Sequence, residues 1–345
     1  MTSIPTSRIF DDNFLSPYRQ QGDPAADRVI AQLAQDQGRE GLGRFMRYLG
    51  DFQDLSTSQW PAYVKQFFEE HQKLPAFADS RQMQQALAFF WKYDQQIALL
   101  LGCYSLPYCY AAAEGAQVLW LSQRIKNDTF KRLEETGEFV FGIMQERDWP
   151  NARNLTKILK IRLMHAVVRY FTFHSGQWDN AWGMPVNQED MAGTNLAFSY
   201  IVIKGLRKLG ILISVADEEA YLHFWNVVGC LLGLEAQLLP QHLREAYHLD
   251  RAIAKRQFRA SEAGTGLTKA LMEVLRQQAP TEVLRNLPVA QMRFLLGPSV
   301  ADLLEVPSFS WEEKVVKITT VVPIFNNLVR SNKSPSAVLT KYQRR

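Results

Sequence analysis

The ten residues Ile161–Tyr170, IRLMHAVVRY, constrain this chain more than any other stretch. Leu163, Met164, Ala166, Val167 and Val168 put apolar side chains around most of a helix, so the segment reads as a core helix and not as a surface one. At about 100° per residue, Arg162, His165 and Arg169 stand at i, i+3 and i+7 and share one polar stripe on it. An imidazole flanked by two guanidiniums is discouraged from protonating and stays available as a neutral metal ligand. Arginine in turn is suited to paired carboxylates, whether of the protein or of a bound cofactor. The competing reading is a core histidine bonded to a carbonyl, with two arginines reaching solvent.

Helical periodicity extends through the whole chain and strand alternation is nearly absent, which predicts an all-α fold. The pattern places helices over 24–36, 42–52, 58–72, 80–102, 107–121, 128–146, 152–172, 188–209, 215–232, 240–258, 264–278 and 288–296. Asp23 before Pro24, Asn187 before Gln188-Glu189-Asp190, and Ser214 before Val215-Ala216-Asp217 are side-chain caps, and Gly210 is a helix stop. Asp190, Glu218 and Glu219 are thereby explained as first-turn acids. The uncharged run 95–113 approaches membrane-span length but contains two Gln, a Gly, a Ser and a Pro. It reads as buried helix broken at Ser105-Leu106-Pro107. No repeat and no long linker divides the chain, so 21–332 is expected to form one domain between an arm at 1–20 and a tail at 333–345, both loosely attached.

Composition removes several classes of function. The 39 basic and 35 acidic residues nearly balance, and part of the surplus lies in the tail KYQRR, so nucleic acid is not an expected partner. The N-terminal residues lack a basic n-region and an apolar h-region, which together with three scattered cysteines suggests a cytoplasmic protein without a transmembrane segment. No Walker loop, Rossmann fingerprint, nucleophile elbow or H-E-x-x-H is present. Glu245-Ala246-Tyr247-His248 spells E-x-x-H once, where a di-iron carboxylate bundle needs two such motifs.

Four patterns in register carry a resemblance. R-x-x-H-x-x-x-R appears as Arg162/His165/Arg169, followed by Trp178/Gly183/Pro185/Asp190/Met191/Thr194, then by Leu206–Gly210, then by His223/Trp225/Gly229/Gly233. Over roughly residues 20 to 300 the chain resembles the MpaB-type and latex-clearing-protein (rubber oxygenase) family. That resemblance implies an all-α fold with a globin-like core, haem b held without covalent attachment, and His165 as its axial iron ligand. The absence of C-x-x-C-H agrees with non-covalent binding. Arg162 and Arg169 are then candidates for the haem propionates. Gly229 and Gly233, one helical turn apart, would either admit a flat ring or let helices pack closely.

The resemblance also implies a distal side. Arg132-Leu133-Glu134-Glu135-Thr136 stands where latex clearing proteins carry R-x-x-K-T, with Glu135 replacing the lysine. Arg132 and Thr136 are carried over as donors to oxygen, and Glu135 either brings acid/base capacity or faces solvent. Glu114, a lone carboxylate in an apolar helix, lies near the family's catalytic glutamate and would manage a substrate proton. The expected function is oxidation of an apolar, isoprenoid-like or unsaturated small molecule by dioxygen or peroxide, plausibly with C=C cleavage. A haem sensor or carrier without turnover is the alternative, and a helical interaction protein without cofactor is the third reading.

Overall fold

Local chemistry sets half of the described helix starts. Asp11, Asp23, Asp79, Asn151, Asn187, Ser214, His242 and Ser261 each accept a hydrogen bond from the backbone N–H three residues on, satisfying a donor that the helix itself leaves unpaired. The structure, a computed structural model, describes residues 8–122, 129–145, 149, 151–278 and 284–309. These form α1 (Asp12–Arg19), α2 (Pro24–Gly50), α3 (Ala62–His71), α4 (Ser80–Lys92), α5 (Asp94–Leu100), α6 (Leu106–Tyr110), α7 (Ala113–Leu121) and α8 (Thr129–Met144). They continue as α9 (Ala152–Phe173), α10 (Gln188–Phe198), α11 (Tyr200–Lys208), α12 (Val215–Leu231), α13 (Leu243–Gln257), α14 (Glu262–Gln277), α15 (Leu287–Leu296) and α16 (Pro298–Leu303). Among the described residues the fold is all-α, with one isolated β-bridge between Ala112 and Phe258.

Several features depart from the sequence pattern. The helices expected over 80–102 and 107–121 divide at Tyr93 and at Ala111–Ala112. The two helices expected over 24–36 and 42–52 run together as α2, bent where Gly38 adopts φ 64° and ψ −166°. The run 95–113 does not break at Ser105-Leu106-Pro107; a π-helical stretch, Leu101–Ser105, widens the helix and leads into α6, and the widened turn accommodates Pro107. The helix expected over 188–209 divides at Ser199, whose φ −108° and ψ −85° are non-helical. Residues 8–20, expected to be a loose arm, are bound to the fold: the Arg8 guanidinium grips Glu245 and the Leu239 carbonyl, and Leu15 is fully buried. Residues 1–7 and the tail 333–345 lie outside the described residues.

Two apolar cores flank α9. Leu159, Leu163, Ala166 and Val167 pack with Ile30, Leu33, Phe45, Leu49 and Phe67 of α2 and α3. Leu155, Ile158 and Ile161 join the larger core built from α4 to α15. Ile158 and Ile161 precede His165 by seven and four residues, so the larger core borders its side of α9.

Candidate functional site

The arginines of the polar stripe are fully employed. Arg162 forms a forked pair with Asp23, Nε to Oδ2 at 2.5 Å and Nη2 to Oδ1 at 2.9 Å. Arg169 donates from Nη1 to Asp27 and from Nε and Nη2 to the carbonyls of Pro185 (3.1 Å) and Val186 (2.8 Å). Each guanidinium therefore ties α9 to the start of α2, and Arg169 also secures the loop before α10. Val186 in that loop has φ 50°, a strained setting for a β-branched residue, and the Arg169 bond to its carbonyl helps to hold it. The expected roles of Arg162 and Arg169 toward propionates thus meet carboxylates that the protein itself supplies.

The other motif residues build the same clamp. Arg19 pairs with Asp190 at 2.5 Å, and Asn187 donates to Asp190 at 2.8 Å. Gln188 donates to the carbonyls of Gly22 and Gly233, both at 2.9 Å. Gly233, at φ 86°, is required by close approach: a Cβ there would lie 2.2 Å from Asp23 Oδ2 and 2.7 Å from Arg162 Nε. A Cβ at Gly229 would lie 3.0 Å from the Asn195 side-chain oxygen. The two glycines therefore serve close packing, and the flat-ring cradle weighed for them is not formed.

His165 has no such employment. Its Nδ1 is buried without a hydrogen-bond partner, although the residue retains some accessible surface. His71 and His174, also at helical positions, bring Nδ1 to within 2.8 Å of the carbonyl four residues back. His223 accepts from the Asp79 N–H, His242 caps α13, and His248 is exposed. Burial, reinforced by the Arg169 charge and only partly opposed by Asp23, pushes His165 down from its ordinary 6.5 to about 4. The imidazole is neutral at physiological pH and its nitrogen lone pair is available. Among the described residues no group of three or more His, Cys, Asp or Glu side chains could hold a metal ion.

The expected distal residues sit on two helices that both pack against α9 and α14. On α7, Glu114 pairs through Oε1 with Arg259, while its Oε2 is buried without a partner. Arg259 reaches it because its backbone N–H bonds the Ala111 carbonyl at 3.2 Å beside the Ala112–Phe258 bridge. On α8, Arg132 brings its charge near the buried Tyr110 hydroxyl at the end of α6. The Thr136 hydroxyl donates to the Arg132 carbonyl at 2.8 Å, which leaves it lone pairs but no free proton. Glu135 is exposed. Of the two readings left open for Glu135, the structure gives the solvent-facing one. Arg259 went unnoticed in the sequence because its partner is 145 residues away.

Two other proteins can be set beside this geometry. The rubber oxygenase of Streptomyces sp. (strain K30) is 23% identical over 248 residues, which cover 71% of this chain and 60% of that relative's length. The solved structure of latex clearing protein LCP in the closed state superposes with a TM-score of 0.72 over 93% of this chain and 88% of that one, at 19% identity, which establishes a shared all-α fold consistent with a globin-like core. Residues 91–323 match the family described as ER-bound oxygenase mpaB/B'/Rubber oxygenase, catalytic domain, and the chain belongs to that family.

Proposed function

We propose that this protein is a haem b-dependent oxygenase that uses dioxygen or peroxide to oxidise an apolar, unsaturated substrate of isoprenoid type, with cleavage of a C=C bond. One observation carries the reading: His165 is neutral and has an unpartnered buried ring nitrogen, between two arginines that are both paired with carboxylates. A lone imidazole suits a metal that arrives with its other ligands already in place, as iron does in haem. Family membership and the rubber oxygenase relative support the reaction and substrate classes.

His165 would hold the iron, and the clamp of Arg162 and Arg169 would fix the helix that carries it. Bound haem would supply the redox chemistry that oxygen activation requires. Arg132 places positive charge near the Tyr110 hydroxyl, where it would favour negative charge developing on an oxygen. Glu114, paired through Oε1 with Arg259, would offer Oε2 as the acceptor for a substrate proton. The apolar walls of the larger core would exclude water from both.

Protein produced with haem supply, analysed by pyridine haemochrome and then for oxygen uptake and carbonyl products on cis-polyisoprene and short terpenoids, tests this directly. One haem b per chain with substrate-dependent uptake is expected. Haem without turnover would leave a carrier or sensor, and protein that takes up no haem would contradict the proposal.

A further inference from the structure

Residues 37–60 precede the family-matched segment and build a second polar site, remote in sequence from His165. Beyond the bend at Gly38, the last turns of α2 present Arg44, Arg47 and Tyr48, and the loop entering α3 returns Gln59 and Trp60 beside them. With Gln37 these side chains line a cleft of about 400 Å³. Trp60 is seated edge-on to Phe45 and tilted against Tyr48, with ring centroids 4.7 and 5.2 Å apart.

Both aromatic residues are more than nine-tenths buried, at 9% and 6% exposure, and both carry a polar atom that bonds nothing: Trp60 Nε1 and Tyr48 Oη. Buried donors are ordinarily paired, and two orphans in one cleft mark a place for an acceptor that the protein does not itself provide. Burial, with the Asp54 charge adding, raises the Tyr48 hydroxyl to about 12, so it remains protonated and able to donate. Arg47 has no hydrogen-bond or ion-pair partner among the described residues, and Arg44 has only Gln37 and an exposed pair with Glu40 at 3.1 Å. Lys160 adds positive charge from behind, its Nζ 4.0 Å from the Tyr48 ring centroid. Against these stand Glu40 and Asp54 at the edge, the latter bonded to the Ser56 N–H and to Gln59.

We propose that this cleft binds a small molecule bearing an oxyanion, a carboxylate or a phosphate, whose oxygens accept from Trp60 Nε1 and Tyr48 Oη at depth and from Arg47 and Arg44 at the mouth. Four donor side chains, two of them guanidiniums, favour an acceptor-rich ligand, and forked guanidiniums suit carboxylate and phosphate geometry. The volume falls within the range of small-molecule sites. Both buried donors have no accessible surface as the cleft stands, so the ligand enters by swinging the exposed Arg47 and Gln59 side chains aside.

The test follows the Trp60 indole N–H signal in a ¹⁵N–¹H spectrum of the full-length protein, assigned by its loss in Trp60→Phe. Inorganic phosphate and citrate are titrated at constant ionic strength against sodium chloride, and a parallel arm measures sedimentation with phosphatidic acid or phosphatidylcholine vesicles. A saturable shift of the Trp60 signal with phosphate or citrate, weakened about tenfold in Arg47→Ala and restored in part by Arg47→Lys, is expected. Selective, Arg47-dependent binding to phosphatidic acid vesicles would support the site with a lipid headgroup as its source. Arg47 is exposed, so its substitution leaves the fold intact. No shift with any anion and no vesicle binding, or binding unchanged in Arg47→Ala, would overturn the proposal.

Discussion

One stripe of α9 holds two opposite kinds of polar residue. Arg162 and Arg169 are saturated by Asp23, Asp27 and the Pro185–Val186 carbonyls, whereas the buried Nδ1 of His165 between them bonds nothing. A chain selected only for stability would have satisfied or removed that nitrogen, since an unpaired buried polar group costs about 1–3 kcal/mol. The paired residues therefore report on how the fold is held, and the orphan reports on what the fold is for.

Removing an arginine should break the structural half of this contrast most severely. Arg169→Ala strands a half-buried Asp27 and two carbonyls, and is expected to lower stability by about 3–5 kcal/mol in urea denaturation, with Arg169→Lys recovering part of the loss. A loss below about 0.5 kcal/mol, the scale of an ordinary surface substitution, would show that the clamp is not structural.

The histidine should behave in the opposite sense. His165 titrates near 4 in the folded haem-free protein against 6.5 when unfolded, so as pH falls from 6.5 to 4 the unfolded chain takes up the proton first and stability declines. A shift of that size corresponds to at most about 3 kcal/mol. His165→Leu should remove this part of the pH dependence while leaving stability at pH 7 equal or slightly higher. Identical pH profiles for parent and variant would place the burial of His165 in error. Comparing the two proteins also cancels carboxylates whose contribution is lost at lower pH, such as Glu245, which, against the effect of burial, Arg8 and two backbone N–H groups hold down at about 2.

On the distal side the contrast sharpens from fold to turnover. Arg132→Ala should keep haem and lose on the order of 100-fold in turnover. Glu114→Gln should also retain haem and lose activity, with its remaining rate less dependent on pH. Glu135→Gln should be the mildest change, within about 0.5 kcal/mol in stability and close to parent activity, because the side chain faces solvent. An inactive Glu135→Gln beside a fully active Arg132→Ala would invert the distal assignment.

What the sequence revealed followed the range of the interactions. Caps at Asp23, Asn187 and Ser214 were legible because donor and acceptor lie three residues apart. The partners of Arg162 and Arg169 were not, since periodicity assigns a stripe to a helix but does not say what meets it, and Asp23 lies 139 residues from Arg162. The same limit hid Arg8 beneath Glu245, so a polar N-terminal stretch read as a loose arm. The π-helical turn at Leu101–Ser105 was illegible for another reason: Pro107 signals a boundary, and a helix can absorb it by widening as well as by ending. His165 was legible as a candidate because its setting is local, while the proof of its vacancy required the three-dimensional hydrogen-bond pattern.

The central claim is that His165 holds the iron. The most direct measurement is the absorption spectrum and haem occupancy of His165→Gly, prepared with haem supply and titrated with free imidazole, beside the parent protein and His174→Ala. The account predicts that His165→Gly loses haem or shifts its Soret band, that imidazole restores the parental spectrum, and that His174→Ala, whose ring Nδ1 lies 2.8 Å from the Tyr170 carbonyl, matches the parent. Parental occupancy and an unchanged spectrum in His165→Gly without imidazole would contradict it.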